Sequence, residues 1–264
     1  MIKATEVYIE AVVNSLKMKG MWQDTIMIFH SDNGAPDTDF NSNYPLKGYK
    51  SELWEGALRN PAFVYSENEE LMPNRGVKSN ALIHVSDWYK TIITMSGGWT
   101  NWKAEGNIVP DDLDSIDQSG HILFGEAGPR RNIMLHIDPV ERIAAYIKDN
   151  YKLLVGDQDS SASCDSSEVY PLNIKSIDLD IIKLYNIMDD PSETTDLWED
   201  YPEIAKNMTE ELKSYLSHQQ PMQCQLDTVT GAYPTSEVPY YLPWDFSAPG
   251  NKSNGGSMPL HEFS

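Results

Sequence analysis

The short run Thr25-Ile-Met-Ile-Phe29 ends abruptly in the polar turn Ser31-Asp32-Asn33-Gly34. A continuous apolar run of this length suits a strand buried on both faces, the kind found in a sheet covered by helices. Upstream, Val7, Tyr8, Ala11, Val12 and Leu16 recur near helical spacing, which predicts an amphipathic helix over 5–18 that Gly20 breaks. No capping residue introduces this helix, because the chain begins almost in its first turn. Helix, short loop, buried strand and polar turn make the repeating unit of an α/β sheet.

Further along, Pro61–Tyr65 reads as another strand. Leu82, Val85, Trp88, Tyr89, Ile92 and Ile93 share one face of a helix predicted over 81–96, which Gly97-Gly98 stops. Residues 99–120 are loop-like, with Asp111, Asp112, Asp114 and Asp117 close together. They lack the glycine and terminal glutamate of an EF-hand, so they read as a solvated acidic loop. From residue 122 the pattern changes to short strands: Ile122–Phe124, Asn132–Ile137, Arg142–Lys148, Tyr151–Val155 and Ile181–Ile187, with Asp149-Asn150 as a hairpin signal. A helix from Tyr201 to about Ser217 follows, with Pro202 where a first-turn proline is tolerated. The expected architecture is therefore an α/β part over 1–121, a small α+β domain with an antiparallel sheet and one helix over 122–218, and an irregular Pro/Gly/aromatic tail over 219–264.

Charge narrows the partners. With 40 acidic against 20 basic residues, the formal net charge is -20, and such a surface repels phosphate backbones, so nucleic acid is not expected. No stretch approaches the ~20 apolar residues that span a bilayer, and Met-Ile-Lys-Ala-Thr-Glu-Val-Tyr does not read as a signal peptide. Cys164 and Cys224 could form one disulfide, but a single pair does not fix the compartment. Asn207-Met-Thr and Asn251-Lys-Ser are glycosylation sequons.

Asp32-Asn33 follows a strand where open α/β sheets bind ligands, and its carboxylate and amide carbonyl are hard oxygens suited to Ca²⁺ or Mg²⁺. Asp-Asn-Gly is also ordinary turn chemistry. Lys47 and Lys50 flank Gly48 just beyond, and a lysine there could neutralise an oxyanion as a point charge. Trp54, Glu55 and Arg59 could form a buried ion pair beneath an aromatic lid, or merely start a helix. Of the dispersed His30, His84, His121 and His136, the last is the most interesting, at a strand end beside Asp138 and Pro139. His84 reads as a packing residue within the 81–96 helix. No Gly-x-Ser-x-Gly elbow, Walker loop, His-Glu-x-x-His or Cys-x-x-Cys pattern occurs.

Taken in order, these segments resemble the sulfatase family. Thr25–Gly34 looks like the family's strand that ends on two metal ligands, and Pro45–Arg59 is similar to its lysine-bearing segment. Ile83-His-Val-Ser-Asp-Trp88 and Leu184–Glu193 match later family blocks, and Ile133-Met-Leu-His-Ile-Asp-Pro139 is similar to a stretch typical of arylsulfatase B-like members. The resemblance implies the C-terminal portion of an alkaline-phosphatase-like sulfatase, which hydrolyses sulfate esters of glycans or aryl alcohols. It also implies Ca²⁺ as cofactor, with Asp32 and Asn33 as ligands. Lys50 would contact the sulfate, with Lys47 as the alternative, and His136 would lie on the substrate side. A lysosomal or secreted location is implied in the same way.

The family's nucleophile is a formylglycine made from the first residue of Cys/Ser-x-Pro-x-Arg. Cys164 is followed by Asp-Ser-Ser-Glu and Cys224 by Gln-Leu-Asp-Thr; Ser247-Ala-Pro-Gly-Asn and Ser257-Met-Pro-Leu-His start the motif but lack its arginine. The formylglycine is therefore expected from an N-terminal part outside these residues, and the chain alone is expected to be inactive. The competing reading is a non-catalytic sulfatase-like protein that binds sulfated sugars or a partner.

Overall fold

The structure is a computed structural model that describes residues 2–38, 40–98, 113–159, 169–170, 175, 177–216 and 222–223. By contact the chain divides into two units, Met1–Ser163 with Tyr170–Met222, and Cys164–Val169 with Gln223–Ser264. Nearly all described residues lie in the first, and the architecture below is that of the first unit alone.

Helix α1 (Ile2–Met18) leads through a single 3-10 turn, Trp22–Asp24, into strand β1 (Met27–His30). The short helix α2 (Glu55–Leu58) precedes β2 (Ala62–Tyr65), which pairs antiparallel with β1 so that Phe29 faces Phe63 and His30 faces Ala62. The two phenylalanine rings stack 5.1 Å apart. Helices α3 (Asp87–Met95) and α4 (Ser119–Phe124) follow. Strands β3 (Asn132–Asp138), β4 (Ile143–Lys148) and β5 (Tyr151–Val155) come next, then the two-residue β6 (Val169–Tyr170) and β7 (Ile182–Asn186). Helix α5 (Pro202–Leu216) and a two-residue β8 (Met222–Gln223) complete the described elements.

Strands β3, β4, β5 and β7 form an antiparallel sheet in that order, and alternation sends their side chains to two faces. On one face Ala144, Tyr146, Leu153, Val155 and Leu184 pack against Ala205, Met208, Leu212 and Leu216 of α5. Those helix positions recur at three- and four-residue spacing, so one stripe of α5 covers the sheet. On the other face Ile133, Ile143, Ala145, Ile147, Leu154 and Tyr185 meet Leu53 and Trp54. The sheet is thus the middle layer, and the 53–59 segment is its second cover.

That second cover is fastened by charge. Lys152 alternates to the Trp54 side of β5 and is fully buried. Its ammonium lies 2.8 Å from Glu193 Oε1 and 3.2 Å from Glu55 Oε1. The Glu55 amide donates to Glu193 Oε2 at 2.6 Å, Arg59 Nε donates to Glu55 Oε2 at 2.8 Å, and Arg59 Nη2 donates to the Ile187 carbonyl at 2.9 Å. Burial pushes the Glu193 carboxyl above its ordinary range, against the pull of Lys152 and the Glu55 amide. Both readings offered for Trp54, Glu55 and Arg59 hold: Glu55 starts α2 and pairs with Arg59, and Lys152 and Glu193 enlarge the ion pair.

A second buried anchor ties α3 to the segment before the sheet. The Asp87 carboxylate is fully buried and receives Arg130 in a two-pronged pair, together with the amides of His84 (2.9 Å) and Ile116 (2.8 Å) and the Gln118 side chain (3.0 Å). Burial alone would raise its pKa, but Arg130 and these donors bring it below the usual carboxylate range.

Several elements differ from the sequence reading. Ile122–Phe124 is the end of α4, not a strand. Gly125 closes that helix in the left-handed region (φ 73°), donating back to Gly120 and His121. The 81–96 helix starts only at Asp87, because that carboxylate takes the His84 amide and holds 81–86 out of the helix. His84 therefore precedes α3, with Nδ1 against Ser86 Oγ at 2.8 Å. Strand β1 is half-buried rather than covered on both faces, and Val7, Tyr8 and Val12 of α1 are exposed. Among the described residues no layer packs over these apolar surfaces. The 149–150 hairpin forms as expected, with Asp149 at φ 51° between Lys148 and Tyr151. No described helix is long and apolar enough to cross a membrane. Asp111, Asp112, Cys164, Cys224, Asn251 and nearly all of the 219–264 tail lie outside the described residues.

Lys152→Met leaves two buried carboxylates facing each other, so it is expected to cost about 3–5 kcal/mol in a urea unfolding titration. Adding Glu193→Gln to that variant should restore part of the loss. For Asp87, the depressed folded value means its contribution is complete above the unfolded carboxylate pKa of about 3.9 and fades as pH falls through the lower folded value. Urea midpoints measured across the acid range should therefore fall less steeply in Asp87→Asn than in the unmodified chain.

Candidate functional site

The turn after β1 is shaped by its own side chains. Ser31 Oγ donates to the Asn33 carbonyl at 2.9 Å, the Asn33 amide donates to Asp32 Oδ1 at 3.0 Å, and Asn33 Nδ2 donates to the Gly34 carbonyl at 2.8 Å. These bonds use the amide nitrogen of Asn33 and leave its Oδ1, with Asp32 Oδ2, unengaged by any described donor. Asp32 is exposed and Asn33 half-buried. Two hard oxygens on adjacent residues at an accessible turn suit part of a Ca²⁺ shell, which needs 6–8 oxygens in all. Among the described residues no group of three or more His, Cys, Asp or Glu is placed to hold a metal.

The turn is locked to the lysine loop. Asn43 accepts from the Ala35 amide at 2.9 Å and donates to the carbonyls of Ala35 (3.1 Å) and Gly48 (2.8 Å), while the Lys50 amide donates to the Ala35 carbonyl at 3.0 Å. Gly34 donates to Ala57 at 2.9 Å and Gly56 donates to Lys47 at 2.7 Å. Both glycines are obligatory here: a methyl group on Gly34 would run into the Gly56 carbonyl, and one on Gly56 into the Lys47 and Gly48 carbonyls. The structure therefore brings the turn at Asp32 and Asn33 and the loop bearing Lys47 and Lys50 together on the start of α2. Through Glu55 the whole cluster rests on Lys152 and Glu193 of the sheet.

Lys47 lays its ammonium on the Trp54 ring, 3.4 Å from the centroid, and that ring is buried edge-on against Tyr185 at 5.9 Å. Lys50 is exposed, and its backbone rather than its side chain is what the loop fixes. Burial, then the charges of Asp196, Glu193 and Asp190, pushes the Tyr185 hydroxyl up to about 12, so it stays protonated at neutral pH.

The histidines are not gathered here. His30 stacks on Trp88 at 6.4 Å with its plane tilted only 8°. His121 joins Ser79 Oγ at 2.6 Å on the far side of α4. His136 sits on the edge strand β3 just past a bulge and lies 3.7 Å from Asp138 Oδ2. Its register partner is Ala145, whose side chain belongs to the sheet face that Leu53 and Trp54 cover. Asn207 is exposed on α5, whereas Thr209 of its sequon is buried and donates to the Ala205 carbonyl at 2.7 Å.

Sequence reasoning overlooked Lys152, Lys183 and Glu193. The signal for Lys152 was legible, because a lysine interrupts the apolar run Tyr151-Lys-Leu-Leu-Val155. Glu193 lies in a turn at φ 54°, and nothing local marks it as buried.

Residues 1–98 match the Sulfatase family model. Arylsulfatase J of Mus musculus is 31% identical in an alignment of 242 positions that covers 81% of this chain and 39% of that protein. Among solved structures, Ps i-CgsB in complex with k-i-k-neocarrahexaose superposes with a TM-score of 0.62 at 20% identity, over 86% of this chain and 44% of that one. BT4656 in complex with its substrate D-glucosamine-2-N,6-O-disulfate superposes with a TM-score of 0.57 at 16% identity, over 83% and 40%. The chain thus spans about two fifths of the length of these proteins. At such identities the superpositions speak for the alkaline-phosphatase-like sulfatase fold alone. With the match over residues 1–98 and a relative aligned across most of the chain, they lead to one assignment: this chain belongs to the sulfatase family.

Proposed function

We propose that this chain supplies the C-terminal part of an arylsulfatase-type sulfuric ester hydrolase acting on sulfated glycans or aryl sulfates. The observation that carries the reading is the clamping of the Asp32-Asn33 turn and the Lys47–Lys50 loop onto one short helix. The turn that offers hard oxygens and the loop that carries positive charge are thereby fixed to one backbone frame, which suits a sulfate ester. Within the reading, segment 1–121 contributes to the catalytic α/β domain and 122–218 is the small domain that supports it.

Asp32 and Asn33 would hold Ca²⁺, which when bound neutralises charge on the sulfate oxygens. Lys50 would contact the sulfate as a point charge, with Lys47 as the alternative. Lys47 is the weaker choice, since its ammonium already rests on Trp54. Sulfuryl transfer, like phosphoryl transfer, depends chiefly on positioning and charge neutralisation, so a rigidly seated loop is the main contribution of these residues. His136, on the same sheet face as the Trp54 cover, would approach the substrate. The nucleophile is a formylglycine, and none of the 264 residues lies in a complete Cys/Ser-x-Pro-x-Arg motif. The reaction therefore requires that group from polypeptide beyond this sequence. Asn207 and Asn251 are the proposed glycosylation positions of a lysosomal or secreted protein.

Two measurements test the reading. Expressed alone, the chain is expected to release no sulfate from a fluorogenic aryl sulfate and to bind Ca²⁺ weakly, and turnover that Asp32→Ala abolishes would overturn this. In a longer form carrying the Cys/Ser-x-Pro-x-Arg motif, Lys50→Ala and Asp32→Ala should each lower kcat/KM by about 10²–10³-fold. Unchanged kcat/KM in both variants would remove the assignment. His136→Ala should raise KM in the same assay, and unchanged kinetics would remove that residue from the site.

A further inference from the structure

A second lysine shares the aromatic ring beside the Lys47–Lys50 loop. Lys183 of β7 places its ammonium 5.8 Å from the Trp54 centroid, on the ring that Lys47 approaches to 3.4 Å. The register pairs Lys183 with Leu154, whose side chain belongs to the Trp54 face, so the lysine reaches that ring from the sheet. Trp54 is only 2% exposed and is held by Leu53, Tyr185 and the strands beneath, so both ammonium groups approach one fixed ring.

The lysines at this ring carry charge that no described carboxylate neutralises, as do Lys3, Lys19, Lys78, Lys90 and Lys206. Acidic residues outnumber basic ones 40 to 20, and Lys17, Lys148, Lys152 and Lys213 each meet a carboxylate. Lys47, Lys50 and Lys183 do not: no carboxylate of a described residue comes within 4.0 Å of any of them. The π-face offsets some of the repulsion between the two ammonium groups. An anion placed between them would offset more. Lys183 also lies beyond the 1–98 segment that matches the family model, so the small domain would contribute it.

We propose that Lys47 and Lys183, held on Trp54, form a cationic subsite beside Lys50 that takes a second sulfate of a multiply sulfated saccharide. The proposal rests on the reading of Lys50 as the contact for the first sulfate, and it names the substrate class as polyanionic rather than monosulfated.

The test compares two probes, a disulfated disaccharide and the monosulfated form of the same sugar, titrated calorimetrically into the 264-residue chain at low salt. The unmodified chain is expected to bind the disulfated probe about tenfold tighter. Lys183→Gln should erase that preference while leaving the monosulfated Kd unchanged, and Lys183→Arg should keep it. Equal affinity for the two probes in the unmodified chain, binding of neither, or a preference that survives Lys183→Gln would overturn the subsite. Lys50→Gln separates the two claims. It should weaken both probes; if it leaves both Kd values unchanged while Lys183→Gln still removes the preference, the reading of Lys50 fails and the subsite stands. If Lys183→Gln does not fold, Lys47→Gln takes its place, and a preference retained there counts against the proposal.

Discussion

A single buried ammonium joins helix α2 to the four-stranded sheet and the turn after it. Lys152 stands on the inner strand β5, with Ile147 and Tyr185 opposite it on the neighbouring strands, and is fully buried. Burying such a group is tolerable only when its partners are fixed, and here they come from two distant stretches of chain, Glu55 on α2 and Glu193 in the turn after β7. Arg59 completes the balance, so two cations face two carboxylates. A network of this kind contributes little net stability compared with a well-packed apolar core, but it tolerates only one register between its parts. Helix α2 is four residues long and could not hold its place by packing alone.

The site inherits its geometry from that placement. Gly34 and Gly56 let three backbone segments approach more closely than any side chain would allow, Gly48 leaves room for the Trp54 side chain, and Asn43 bridges the segments that remain apart. Much of the local polar surface is thus spent on backbone hydrogen bonds. What is left facing outward is a short inventory: two oxygens at the turn and the lysines of the loop. In a chain of formal charge -20, two ammonium groups, from the loop and from β7, nevertheless approach the one ring of Trp54.

Much of this was legible in the sequence because it is local. The Asp149-Asn150 hairpin, the short strands on either side of it and the proline entry to α5 each carry their own signal within a few residues, and each formed where expected. Ile122–Phe124 was misread because three apolar residues fit a strand or a helical turn equally well, and the deciding residue was Gly125, which caps the helix. The late start of α3 was hidden for a different reason. The Asp87 carboxylate takes the His84 amide only three residues back, but it is anchored by Arg130, 43 residues away, and no window of sequence reveals that pairing. The turn at Asp32 and Asn33 was found by its residue types, but its attachment to α2 depends on glycine contacts that only the folded chain displays.

The sequon on α5 has a consequence in time. Thr209, whose hydroxyl an oligosaccharyl transfer must reach, is buried in the finished fold and donates to the carbonyl of Ala205, one helical turn back. Met208, between it and Asn207, is sealed against the sheet. The acceptor tripeptide therefore exists as an open, extended segment only before α5 docks. A glycan on Asn207 would be a record of the order of events, attached while α5 was still undocked and carried on an exposed position afterwards.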